Sequence, residues 1–161
     1  MKLVYKLSNE KMTLLQDIGL LLGRVGLGFF IAFGHGLGKL QYYSAFSAKF
    51  PDPLGVGNEL SMALAIFAEL FCGILLMLGL FSRIALSQLV ITMAVAAFIV
   101  HGKDPLFAPP GKASMEFALV YFIGFIMLIF TGPGRFSLDQ LLVNKFADNK
   151  QNPEIDSNLE A

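Results

Sequence analysis

Apolar residues run along this chain in four long blocks, and most charged residues gather between them. The blocks cover about residues 18–38, 60–81, 84–100 and 114–131. Each approaches the ~20 residues that an α-helix needs to cross ~30 Å of hydrocarbon. Lipid offers no hydrogen bonds to a backbone, so blocks of this length are expected as helices rather than open strands. The pattern predicts an all-α membrane protein, a four-transmembrane-helix bundle with a short amphipathic C-terminal helix.

The connections refine this picture. Residues 1–16 hold Lys2, Lys6 and Lys11 and form an N-terminal segment expected in the cytoplasm. A secretory signal can begin in this way, but no small-x-small cleavage site follows, so the first block is expected as a retained membrane helix. The second and third blocks are joined only by Ser82-Arg83 and so form an antiparallel hairpin. Pro105, Pro109 and Pro110 separate the third block from the fourth, because proline cannot continue a helix. After Gly132-Pro133-Gly134, the pair Ser137 and Gln140 has capping-box spacing and predicts a helix from Leu138 to about Phe146. The membrane domain is thus drawn over residues 17–142, with a tail over 143–161 that is largely disordered at its end.

Against this apolar background a few charges stand out. At ~100° per residue, Asp17, Arg24, Gly28, His35 and Lys39 share one stripe of the first helix. Polar groups facing lipid would be left unsatisfied, so the stripe should face neighbouring helices. Glu69 lies near the middle of the second block, and an Arg24–Glu69 pair is expected across the bundle, either fixing helix register or serving a function. Gln88 in the third block is assigned to the same polar interior, together with Lys39. A second cluster of His35, His101 and Glu116, with Lys39, is expected near the other membrane face. Histidine exchanges a proton near neutral pH, and a nearby carboxylate can tune it. The three candidates for chemistry are therefore His35, Glu116 and His101. They form either a proton-handling pocket for a ligand such as a quinone head group or a set of interfacial anchors.

Composition narrows the field. Lys+Arg and Asp+Glu balance at 12 each, which gives no basic footprint for nucleic acid. One cysteine, Cys72, excludes an intrachain disulfide or dithiol relay. Neither histidine has a second ligand at metal spacing, so metal and haem are not expected. Lysine and arginine favour the side bearing both termini, which the positive-inside rule places in the cytoplasm.

Several short motifs resemble those of the DoxX family of small four-helix membrane proteins. They are Arg24 with Gly28, His35-Gly36 with Lys39-Leu40, Glu69 with Gly73, and the Gly79-Leu80-Phe81-Ser82-Arg83 turn. His101 and the closing Gly132-Pro133-Gly134-Arg135-Phe136-Ser137-Leu138-Asp139 complete the set, spanning about residues 17–142. The resemblance implies a bundle in the bacterial inner membrane. Members of the family are named for subunits linked to thiosulfate:quinone oxidoreductase and to terminal quinol oxidation, and others are linked to redox-stress complexes. It therefore implies a redox-associated subunit, working with a quinone, a redox partner subunit, or both. A non-enzymatic scaffold or assembly factor is the alternative. A small transporter is a third reading, which would need a homo-oligomer and finds no helix interrupted at midspan.

Overall fold

The computed structural model describes residues 2–151, with side chains described from residue 13 to residue 147. The expected disordered end of the tail lies outside the described residues. Among the described residues every regular element is helical. Three helices are long and apolar enough to cross a membrane: Thr13–Gln41, Asn58–Leu78 and Ser82–Val100. The fourth, Glu116–Thr131, is shorter at 16 residues. We number these spans one to four. Helix already begins at Lys2, because neither glycine nor proline interrupts the chain before Gly19.

The spans pack in a ring, one against two, two against three, three against four, and four back against one. Ile31, Cys72, Leu76, Leu86, Leu89, Met93, Phe125 and Leu128 form the central core. A smaller cluster of Ala32, Met62, Ile66 and Leu70 packs under the connection between spans one and two. Outward-facing residues such as Leu22, Phe30, Ile84, Ile123 and Phe130 are large and apolar, as lipid contact requires. Lipid is itself apolar, so close packing and polar contacts, rather than water exclusion, decide how such helices associate.

Glycines set the register of spans one and two. A Cβ on Gly28 would fall 2.8 Å from the Gly73 carbonyl oxygen, and one on Gly36 would fall 2.6 Å from the Leu70 nitrogen. The two backbones therefore touch at both levels. Running antiparallel, they bring Lys39 level with Glu69, and Arg24 level with Gly79.

Spans one to three are not regular throughout. π-Helical stretches occupy Ala32–Gly36, Phe67–Cys72 and Ala96–Val100, where uninterrupted helices were expected. A π turn inserts one residue and turns the following side chains out of the α pattern, and such turns are frequent at functional sites. All three occur in the same end of the bundle.

Loops are fastened by local polar contacts. Asp52 accepts hydrogen bonds from Val56 N at 3.0 Å, Gly57 N at 2.7 Å and Ser61 Oγ at 2.7 Å. The Ser61 hydroxyl, and after it the backbone N–H groups, hold the Asp52 carboxyl below the usual carboxylate range. Span two ends in a left-handed Gly79 with N–H bonds from Gly79 to Leu76 O and from Leu80 to Leu75 O, both 3.0 Å. This is the Schellman arrangement, in which glycine removes the Cβ penalty. Half of the expected capping box forms, with Gln140 N donating to Ser137 Oγ at 3.2 Å, and the C-terminal helix runs on from Leu138 to Gln151.

The glycine contacts give a paired expectation. Gly36→Ala should destabilise the bundle by about 1–3 kcal/mol, because the obstructing atoms belong to backbone. Gly26→Ala, with nothing within 4 Å of the new methyl, should be neutral or gain up to ~1 kcal/mol. Denaturant unfolding of the detergent-solubilised protein separates the two signs.

Candidate functional site

Two separate polar centres occupy the bundle, one at each end. The expected Arg24–Glu69 pair does not form. Glycine contact sets the helices so that Glu69 lies about ten residues, roughly 15 Å, along span two from the level of Arg24. Each charge meets a different partner.

At the end holding the hairpin between spans two and three, Arg24 is buried and donates from Nη2 to the Phe136 carbonyl oxygen at 2.9 Å. Its guanidinium fills the place where Gly79 has no side chain, since a Cβ there would lie 1.4 Å from Nη1. Asp139 supplies the opposing charge. The same carboxylate accepts from Phe81 N at 2.8 Å and Ser82 N at 2.9 Å, capping span three from outside. Asp139 N in turn donates to Gly79 O at 2.8 Å. Phe81 is held in the left-handed region at φ 48°, a strained position for an aromatic residue that these bonds fix. Asp17 accepts from Arg135 N at 3.2 Å and lies 3.6 Å from Arg135 Nε, tying span one to the closing turn. This centre is a lock on the ends of the helices.

At the opposite end, Lys39 forms an ion pair with Glu69, whose side chain is almost fully buried. The pair borders a cavity of about 310 Å³. Span one contributes Ile31, His35 and Lys39 to its wall, and span three contributes Met93, Ala96 and His101. Lys112 and Ser114 reach it from the connection, and Phe117, Ala118 and Tyr121 from span four. His35 meets the edge of Tyr121 with ring centroids 5.8 Å apart and planes at 85°. Tyr121 stacks on Phe125 of the core, so aromatic packing fixes the wall from below. His101 Nδ1 lies 2.7 Å from Asp104 Oδ2, which orients the ring at the rim. The three π-helical stretches carry or adjoin His35, Glu69 and Ala96, and so shape this cavity.

The residues singled out in the sequence therefore divide. His35, Lys39, Glu69 and His101 converge on the cavity, while Arg24 belongs to the lock. Glu116 does not line the cavity; Ser114, Phe117, Ala118 and Tyr121 take the inward positions around it. Gln88 is exposed rather than interior, because Leu86, Leu89 and Met93 turn the other face of span three to the core. Sequence reasoning missed three contributors. Tyr121 is the one tyrosine of its span, Asp104 stands three residues from His101, and Asp139 follows the C-terminal helix's cap; only the middle spacing signals a partner. Among the described residues no three His, Cys, Asp or Glu side chains come together as a metal site.

The family model described as DoxX matches residues 19–102, which include Arg24, His35, Lys39, Glu69 and His101. An uncharacterized protein of Haemophilus influenzae is 39% identical over 104 residues, 61% of this chain and 74% of that relative. An uncharacterized membrane protein of Mycobacterium tuberculosis is 34% identical over 112 residues, 58% of this chain and 68% of its own. No solved structure matches the chain.

If Asp139 holds the lock, Asp139→Ala should lower stability by about 1–3 kcal/mol, the usual cost of removing charged hydrogen bonds to buried donors. Asp139→Asn, whose amide oxygen still accepts, should recover part of the loss. Thermal unfolding monitored by circular dichroism reads both, and equal melting of Asp139→Ala and the unaltered protein would remove Asp139 from this role.

Proposed function

This chain belongs to the DoxX family, and from that premise we propose that it is a redox-associated membrane subunit that binds a quinone-like molecule beside Lys39 and Glu69. The observation that supports this most is the meeting of a partly buried ion pair, two histidines and a tyrosine on one cavity. Its volume of about 310 Å³ falls at the lower end of small-molecule sites. The lining suits a flat ring with carbonyl oxygens. Lys39 has three N–H donors, and its bond to Glu69 uses one. His35 can donate from its ring, Tyr121 and Ser114 bring hydroxyls, and Phe117 adds an aromatic wall.

The roles follow from position. Glu69 holds Lys39 in place, His35 stands where a carbonyl or hydroxyl of the ring would exchange a proton, and His101 with Asp104 links the rim to water. A bound quinone would supply the two-electron chemistry, with a partner subunit as the other half of the couple. A bacterial inner-membrane location with both termini in the cytoplasm is part of this proposal. Lys2, Lys6, Lys11, Arg83, Arg135, Lys145 and Lys150 then face the cytoplasm, against Lys49, Lys103 and Lys112 opposite. Lys39 leaves that second count because it is committed to Glu69.

A scaffold role is the second reading, and the lock favours it. Arg24 donates to a backbone carbonyl of the closing turn and faces Asp139, so the polar groups around it tie helix ends together.

Titration of purified protein with a water-soluble, tailless benzoquinone tests the proposal. His35→Ala and Tyr121→Phe should each weaken binding about two- to ten-fold, the worth of one hydrogen bond. Glu116→Ala, outside the cavity, should leave affinity unchanged. Saturable binding that ignores both His35 and Tyr121 would move the site elsewhere and defeat the assignment.

A further inference from the structure

The ring of helices is not equally tight all round. Spans one and four touch least of the four neighbouring pairs. Below the cavity this seam is closed, because Leu27 lies against Gly124, where a Cβ would fall 2.8 Å from Leu27 Cδ1. Ile31, almost wholly buried, seals the floor just above. At the level of the cavity the seam opens. His35 of span one is exposed although its ring contacts Tyr121, and Phe117 of span four lines the cavity while 67% exposed. Gly34, beside His35, has nothing within 4 Å of where its Cβ would be.

An imidazole on the lipid-facing edge of a span is costly unless something polar meets it there. Here the polar groups lie inward and the lips are apolar. An amphiphile fits both, with its head among Lys39, His35 and Tyr121 and its hydrocarbon tail beside Phe117 in the bilayer. We propose that the seam between spans one and four is a side entrance through which a lipid-dissolved, tailed ligand reaches the cavity. This deepens the function proposed above and rests on it, restricting the ligand to molecules that partition into the membrane. The contact of Leu27 with Gly124 sets the depth of the doorway, and His35 is the first polar group met on entry. His35 is thus both part of the head-group site and its gatepost.

Photolabelling tests the entrance. The full chain in phosphatidylcholine vesicles is labelled with a benzoquinone carrying a photoreactive diazirine on its alkyl tail, with and without excess tailless benzoquinone. The entrance predicts tail adducts on the lips, at Gly34, Phe117 or Val120, reduced several-fold by the competitor and by His35→Ala. Competable adducts on the connection between His101 and Lys112 would overturn the side entrance while leaving the cavity as the binding site. Adducts nowhere reduced by the competitor would mean only lipid-phase contact, and would overturn both the entrance and the quinone reading. Should His35→Ala fail to fold, competition on the unaltered chain decides alone.

Discussion

A carboxylate near the middle of a membrane helix must be satisfied by protein, because lipid offers it nothing. Glu69 is that carboxylate, and its ion pair with Lys39 is the constraint on which this end of the bundle depends. The pair cannot be moved freely. Gly28, Gly36 and Gly73 let spans one and two touch backbone to backbone, and that contact alone brings the two side chains level. A pair with one partner buried is no guarantee of net stability, since desolvation can exceed the Coulomb gain. Its consequence is geometric. It keeps an ammonium inside the bundle, beside a cavity, in one place.

Two polar centres divide the work. The lock at one end spends Arg24, Asp17 and Asp139 on backbone groups of the turns, fastening spans one, two and three to the C-terminal segment. The cavity at the other end leaves donors facing space. Two histidines, a tyrosine and the Lys39–Glu69 pair gather on this cavity, and their chemistry is the reason for placing a ligand there. Among the described residues the π-helical stretches fall at the cavity end, where displaced side chains shape the wall. Phe125, Tyr121 and His35 connect the packed core to the cavity wall through ring contacts.

Much of this was legible in the chain. Block length and proline placement marked the spans, and the seven- and four-residue steps put Arg24 and Lys39 on an inward face, with His35 at its exposed edge. The error over Arg24 and Glu69 has a physical origin. Placing Glu69 by the middle of its block treats all helices as starting at the same plane, whereas glycine contacts set how far one slides past another. Gln88 and Glu116 were misplaced because polarity marks a residue as notable without saying which way its helix turns. Asp139 was hidden since its partners, the N–H groups of Phe81 and Ser82, lie far away in sequence and belong to backbone. Tyr121 gave no signal beyond its hydroxyl in an otherwise apolar span.

The central claim is that Glu69 answers to Lys39 and not to Arg24. Two double-mutant cycles on the detergent-solubilised protein test it, one over Lys39→Met and Glu69→Leu, the other over Arg24→Met and Glu69→Leu. The account predicts a coupling on the order of 1–3 kcal/mol in the first and additivity within about 0.5 kcal/mol in the second. Coupling between Arg24 and Glu69 with additivity between Lys39 and Glu69 would contradict it.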